Sequence, residues 1–340
     1  YVWGFVVTAL FTALEIQANH VQMKYYYMFI IFFMVLAYLW QAVRDKKLAQ
    51  FAKATGVCLV AAVLGVVVNL SNLYHTWQYT QESMRGKSEL VKKNSANQTN
   101  SGLDRDYITQ WSYGIDEPWT LLVPNAKGGA SVPLASNEKA MEKADPQFYQ
   151  VYQQMGQYWG NQPGTSGPVY VGAFVFMLFI LGLFIVKGPI KWALFAATVL
   201  SVLLSWGRKF MWITDLFLDY MPMYAKFRTV ASILVIAEFT IPLLAMLALK
   251  ELLQNPKSLD EKVTVRERVI NCIFFTPLGA VATKRRDYLW ISFALSAGCA
   301  FLFAIMPSVF IPDFIYLSVM EALKQIPIVY LCPLIANLRE

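Results

Sequence analysis

The chain predicts an all-α polytopic membrane protein with one long outward-facing loop region of mixed structure, and three observations predict it. Composition is the first: of 340 residues, 57% are hydrophobic and only 15% charged, too apolar for an ordinary soluble domain. The second is a series of seven apolar runs, most of them close to the roughly 20 residues that a helix needs to cross the hydrocarbon of a bilayer. The third is a single long interruption, His75 to Pro168, rich in polar, aromatic and turn-forming residues.

The apolar runs are Tyr1 to Leu14, Tyr25 to Val43, Gly56 to Tyr74, Val169 to Val186, Trp192 to Trp206, Thr229 to Leu249 and Tyr288 to Met306. This divides the chain into three spans over 1–74, a loop domain over 75–168, four spans over 169–306 with a linker at 250–287, and a tail over 307–340. Tyr1 lies inside an apolar run with no basic segment before it, so the sequence reads as a fragment lacking an N-terminal part. Lys87 to Gly102 reads as a flexible linker. Val269 to Ala282, short and containing Pro277, reads as an interfacial or re-entrant piece, and the tail as an amphipathic helix or an eighth span.

Lys and Arg set the orientation, because positive residues collect in the short cytoplasmic connections. Arg44, Lys46, Lys47 and Lys53 follow the second run, Lys187 and Lys191 join the fourth to the fifth, and the 250–287 linker is strongly basic. These three sets fall on one side when the spans alternate. Glu15 to Lys24, the long loop and Gly207 to Arg228 then face outward. The net charge of +7 therefore follows topology and calls for no nucleic-acid partner.

Several function classes lose support at this point. Only Glu238 lies deep in a span, whereas ion-coupled transporters need several intramembrane charges or broken helices. It reads either as a buried acid touching a substrate or partner helix, or as a hydrogen-bonded glutamate beside Pro242. Cys58, Cys272, Cys299 and Cys332 have no metal spacing, and Cys58 and Cys299 read as small apolar core residues. No GxGxxG, P-loop or HExxH motif occurs.

The candidate chemistry sits in the outward segments. Glu15 and His20 lie among amides between two helix ends, where a carboxylate can act as general base and an imidazole can hold it, bind phosphate or share a divalent cation. One His defines no metal site, and a polar interfacial turn is the plainer alternative. Arg208, Lys226 and Arg228 place positive charge where outward loops normally lack it, which suits an anionic lipid phosphate; anchoring to lipid head groups is the competing reading. In the long loop, Trp111, Tyr113, Tyr158 and Trp159 offer flat faces for sugar rings, while Asp116, Glu117 and Gln162 offer hydrogen bonds to hydroxyls. The alternative there is a small domain with its own aromatic core. Gly160, Pro163, Gly164, Gly167 and Pro168 imply tight turns leading into the next span.

Ala18-Asn19-His20-Val21-Gln22-Met23 with Tyr25-Tyr26, Gln110-Trp111-Ser112-Tyr113-Gly114, Leu121-Leu122-Val123-Pro124-Asn125 with Gly128-Gly129, Tyr158 to Pro163, Ser166 to Tyr170 and Lys226-Phe227-Arg228 carry a resemblance. Over residues 1–250 the chain resembles the YfhO-like family of bacterial multi-spanning membrane proteins. The resemblance implies a GT-C-like fold. It also implies a glycosyltransferase using a polyprenyl-phosphate sugar at the outer face of the cytoplasmic membrane, with an envelope glycopolymer or glycolipid as acceptor. In that fold class the usual general base is an acid in the first outward loop, which precedes this chain; Glu15, His20 and Asp116 are then accessory catalytic candidates. A lipid-carrier translocase and a non-enzymatic subunit of an envelope complex are the rivals. On the leading expectation the long loop acts as a substrate-holding lid over the two shorter outward segments.

Overall fold

A computed structural model describes residues 1–83, 85, 97, 99, 103–142, 145–264 and 282–306. The sequence expectations for the linker 87–102, for most of the 269–282 piece, for Cys272 and Cys332 and for the tail 307–340 lie largely or wholly outside these residues. The described fold is all-helical: among the described residues there is no β-strand, only the isolated bridges Pro133–Gly156 and Lys262–Lys284. The mixed structure expected for the long loop is thus corrected to short helices and turns.

The helices are α1 (Val2–Gln17), α2 (Val21–Arg44), α3 (Leu48–Val68), α4 (Leu70–Gln81), α5 (Arg105–Ile108), α6 (Glu138–Met141), α7 (Tyr149–Gln154), α8 (Ala173–Ile185), α9 (Ile190–Ser205), α10 (Met211–Tyr220), α11 (Val235–Gln254) and α12 (Arg285–Ile305). Among the described residues four segments are long and apolar enough to cross a membrane: α2, α3, Val230–Gln254 and α12. The bent pair formed by α9 and Gly207–Tyr220 makes a fifth if counted as one span, and α1 and α8 are shorter apolar helices. The chain reads as a multi-pass membrane protein. Two compact units divide it, the first comprising 1–112 and 177–292 and the second 113–176 and 293–340.

The first unit is a helical bundle. α1 runs along α3, and Gly65 allows the approach, since a Cβ there would lie 2.8 Å from Thr12 Cβ and 2.9 Å from the Ala9 carbonyl oxygen. Small residues do this between membrane helices, where contact rather than water exclusion holds the pair. Asn69 at the end of α3 donates its amide to the carbonyls of Ala13 at 3.0 Å and Gly65 at 3.2 Å, fastening the same pair. α9 carries the inner row Leu194, Ala197, Thr198, Ser201 and Leu204 and packs on both α2 and α11. Across the α9–α11 contact the hydroxyls of Thr198 and Thr240 lie 2.6 Å apart, one donating to the other. Gly182 brings α8 onto α11, its missing Cβ leaving room for Leu244.

Two boundaries and two burial expectations differ from those read in the sequence. α4 carries helix from Leu70 to Gln81, beyond the expected loop start at His75, and the Tyr74 and Trp77 rings, three residues apart on one side of it, lie 6.3 Å from each other. The expected outward loop from Gly207 to Arg228 contains α10. It follows a bend of 102° from α9 at Gly207, whose φ of +38° and contact with the Ser112 hydroxyl suit only glycine. Glu238 and Cys58 are exposed rather than buried.

Within the second unit, the described residues from 113 to 172 form turns and short helices tied by backbone bonds. Ser131 N–H donates to Thr165 O at 2.8 Å, Gln157 to Val132 at 2.7 Å, Leu134 to Met155 at 2.8 Å and Trp159 to Lys127 at 3.1 Å. Ala126 and Phe303 are buried in it, with Trp119, Val123 and Trp159 packed around them.

Candidate functional site

The phosphate candidates lie in the first unit, where three segments meet at one end of the bundle. The start of α2 joins the stretch before α11: Gln22 Nε2 donates to the Arg228 carbonyl at 2.7 Å, and the Tyr25 hydroxyl to the Pro222 carbonyl at 2.7 Å. The Tyr25 ring packs on Phe227 at 5.2 Å. Residues 103–112 form a strap over the same stretch. Leu103 N–H donates to Ala225 O at 2.9 Å, Thr229 N–H to Ile108 O at 3.2 Å and Ala231 N–H to Trp111 O at 3.1 Å.

Arg228 is the focus of this meeting. Its guanidinium donates to the Tyr107 hydroxyl at 2.8 Å and sits 5.8 Å from the Tyr107 ring and 5.7 Å from the Trp111 ring, within cation–π range. The residue is exposed, so aromatic contact on one side leaves other N–H groups facing solvent. Met223 and Thr229, at φ +65° and +64°, bracket the segment that presents it. A β-branched Thr in the left-handed region costs about 1–3 kcal/mol and persists only where its surroundings hold it, commonly at functional sites.

The strap is clamped by Arg105, whose guanidinium pairs with Asp215 and, at 2.5 Å, with Asp219, one turn apart on α10. Arg208 donates to the Asp106 carbonyl at 3.3 Å, so it grips the same strap as Arg228. Lys226 is half-buried, and its carbonyl accepts from Arg85 Nε at 3.0 Å. Below this stretch Tyr224 is fully buried among Tyr25, Tyr26 and Phe217, and burial pushes its phenol well above the ordinary tyrosine range. Glu15 ends α1 and His20 precedes α2; both are exposed, and His20 makes no side-chain cap. Among the described residues no three His, Cys, Asp or Glu side chains converge as a metal would require.

Five of the six sugar candidates lie in the second unit, while Trp111 lies in the first, under Arg228. In the second unit Glu117, only 1% exposed, is a hub. Its carboxyl accepts from Gly114 N–H at 2.7 Å, from the Tyr158 hydroxyl, from Gln162 Nε2 at 3.3 Å and from Asn161 N–H at 3.4 Å. Burial and the neighbouring Glu117 push the Tyr158 phenol far above the usual tyrosine range. With its acceptor positions taken, Glu117 braces the turns and has no lone pair directed at a sugar hydroxyl. Asp116 is engaged as well, pairing at 2.6 Å with Lys127, whose buried ammonium also lies 4.5 Å from the Trp159 ring.

Beside the hub is a cavity of about 10 Å³ lined by Tyr113, Thr120, Lys127, Tyr158 and Gln162 among others. Such a space admits about one water molecule, far too little for a sugar ring. The buried Thr120 hydroxyl on its wall has no protein partner.

Sequence reasoning missed Arg105, Tyr107 and Lys127. Tyr107 and Trp111 are four apart, the spacing that puts two rings on one side of a helical turn, and that signal was available. The partners of Arg105 were hidden because Asp215 and Asp219 were read as loop residues. No protein-family model, curated protein or solved structure matches this chain.

Proposed function

We propose that the chain is the membrane-embedded part of a GT-C-type glycosyltransferase. It would move a sugar from a polyprenyl-phosphate donor to an envelope glycopolymer or glycolipid at the outer face of the bacterial cytoplasmic membrane. The observation that carries this reading is Arg228: an exposed guanidinium, oriented by Tyr107 and Trp111, at the end of an apolar helical bundle. A fixed cation at a membrane boundary suits a lipid phosphate, and its charge stabilises that phosphate as the sugar leaves. Arg208 and Lys226, exposed and half-exposed nearby in sequence, reinforce the positive field. The YfhO-like resemblance supplies the reaction class. Among the three acids singled out as candidates, Glu15 is exposed, whereas Glu117 and Asp116 are engaged; Glu15 is therefore the accessory base candidate.

The test uses the full-length protein in lipid nanodiscs. Polyprenyl phosphate should bind, Arg228→Gln should weaken that binding by at least about ten-fold, the equivalent of roughly 1.4 kcal/mol, and labelled sugar should pass from the lipid to an envelope acceptor. Absence of both binding and transfer, across the plausible lipid-linked donors, would sink the proposal. A second reading, a non-enzymatic subunit docking through residues 113–176, is favoured by the saturated Glu117 hub and its small cavity. It predicts a stable co-purifying partner and an unchanged glycan profile in a deletion strain.

A further inference from the structure

We propose that α10 is an in-plane membrane anchor, and that the bilayer interface itself is the partner of its exposed face. α9 is an apolar helix of 16 residues, and the chain turns through 102° before α10. If α9 runs across the bilayer, α10 lies along its surface. The side chains of α10 separate into three rows. Thr214 and Leu218 are buried against the bundle, and Phe217 packs on Phe29 at 5.8 Å and Tyr224 at 5.5 Å. Asp215 and Asp219 face the strap and hold Arg105. Trp212, Leu216 and Tyr220, at four-residue spacing, remain 67%, 48% and 80% exposed.

That third row fits a lipid interface by chemistry as well as by direction. Trp and Tyr are amphipathic and collect at the headgroup level, with an aliphatic residue between them reaching the acyl boundary. Arg208 and Lys209, both exposed, sit immediately before the helix, where headgroup phosphates would meet them. An aqueous surface would instead leave a Trp, a Leu and a Tyr in contact with water along a single stripe.

The consequence is positional. Because Arg105 joins α10 to the strap, and the strap carries Tyr107 and Trp111, the anchor sets the height of Arg228 relative to the lipid phosphates. This inference needs only the membrane character of the chain, so it stands or falls separately from the glycosyltransferase reading.

The experiment places single nitroxide labels at Trp212→Cys, Leu216→Cys and Tyr220→Cys in the full chain, with Cys58, Cys272, Cys299 and Cys332 replaced by serine, in nanodiscs of mixed neutral and anionic lipid. Relaxation by oxygen and by an aqueous nickel chelate gives the depth of each label. Lys46→Cys serves as a connecting-loop reference and Val63→Cys, exposed on α3, as a hydrocarbon reference. Labels on the stripe should lie about 5–10 Å into the headgroup and acyl boundary, between the two references. Nickel accessibility equal to that at position 46 would overturn the anchor, and so would a depth equal to that at position 63, which would make α10 part of a span. Should the serine background fail to assemble, the native chain can be photolabelled with a diazirine carried at headgroup depth. Labelling of the Trp212–Tyr220 peptide then supports the anchor, and its absence overturns it.

Discussion

Arg228 owes its orientation to neighbours whose chemistry can be removed one atom at a time. Tyr107→Phe deletes the hydroxyl that accepts from the guanidinium at 2.8 Å but keeps the ring. The expected loss of affinity for polyprenyl phosphate is about 1 kcal/mol, roughly five-fold, read by lipid titration in nanodiscs. Arg228→Lys should cost more, because a point ammonium cannot both lie against two rings and meet a phosphate with a fork of N–H groups. Equal affinities for Arg228→Lys and the parent would show that charge alone is used. Tyr158 gives a prediction in pH. Its phenol is raised by burial and by Glu117, so the folded state keeps a proton that an unfolded tyrosine releases above about pH 10. The contribution is fully present below that pH and is lost as pH rises beyond it. Alkaline unfolding of residues 113–176, followed by limited proteolysis, should therefore steepen above about pH 10 and flatten in Tyr158→Phe. The sequence showed Arg228 as a cation in an unusual place, but it could not show that Glu117 is saturated, since burial and four converging donors come from residues 114 to 162.

At the scale of the element, glycines separate backbone cost from steric cost. Gly188 has φ +93° with nothing near its missing Cβ, whereas Gly128 has φ +87° and a Cβ there would run into the Gln157 carbonyl and the Trp159 ring. Gly188→Ala should cost about 1–2 kcal/mol, the left-handed penalty alone. Gly128→Ala adds a collision in a knot that cannot yield without breaking the Trp159 to Lys127 bond, so its loss should be larger by about 1–3 kcal/mol, each loss being measured as denaturant sensitivity of the unit that holds the glycine. A smaller loss for Gly128→Ala than for Gly188→Ala would contradict the geometry. The long spans were legible because unbroken apolar length is itself the physical requirement for crossing a bilayer. α10 was not: in its sequence, Met211-Trp-Ile-Thr-Asp-Leu-Phe-Leu-Asp-Tyr220, two acids interrupt the apolar residues, and their joint partner Arg105 lies 110 and 114 residues away along the chain.

At the scale of the whole chain, the basic residues and the packing of the first unit bear on topology independently. Charge counting assigns one side to Lys46, Lys187 and the 250–287 linker. Packing brings two of those sets together: Lys187 Nζ lies 3.7 Å from Glu251 at the end of α11, and the Phe184 and Tyr288 rings stack at 4.4 Å where α8 ends and α12 begins. The opposite ends of the helices gather Gln22, Pro222 and Arg228 through direct hydrogen bonds. The contacts therefore put Lys187 beside Glu251, and Gln22 beside Arg228; which side of a membrane each group faces is the expectation drawn from charge. The orientation expected from charge is testable in intact cells that produce the protein, with a membrane-impermeant maleimide and single cysteines. His20→Cys and Arg208→Cys should react in whole cells, while Lys46→Cys and Lys187→Cys should react only after permeabilisation. Reaction at position 46 in intact cells would invert the expected topology and remove Arg228 from the outer face, where the proposed lipid-linked donor would meet it. Labelling of all four positions in intact cells would mean that the two helix ends do not lie on opposite sides of the membrane.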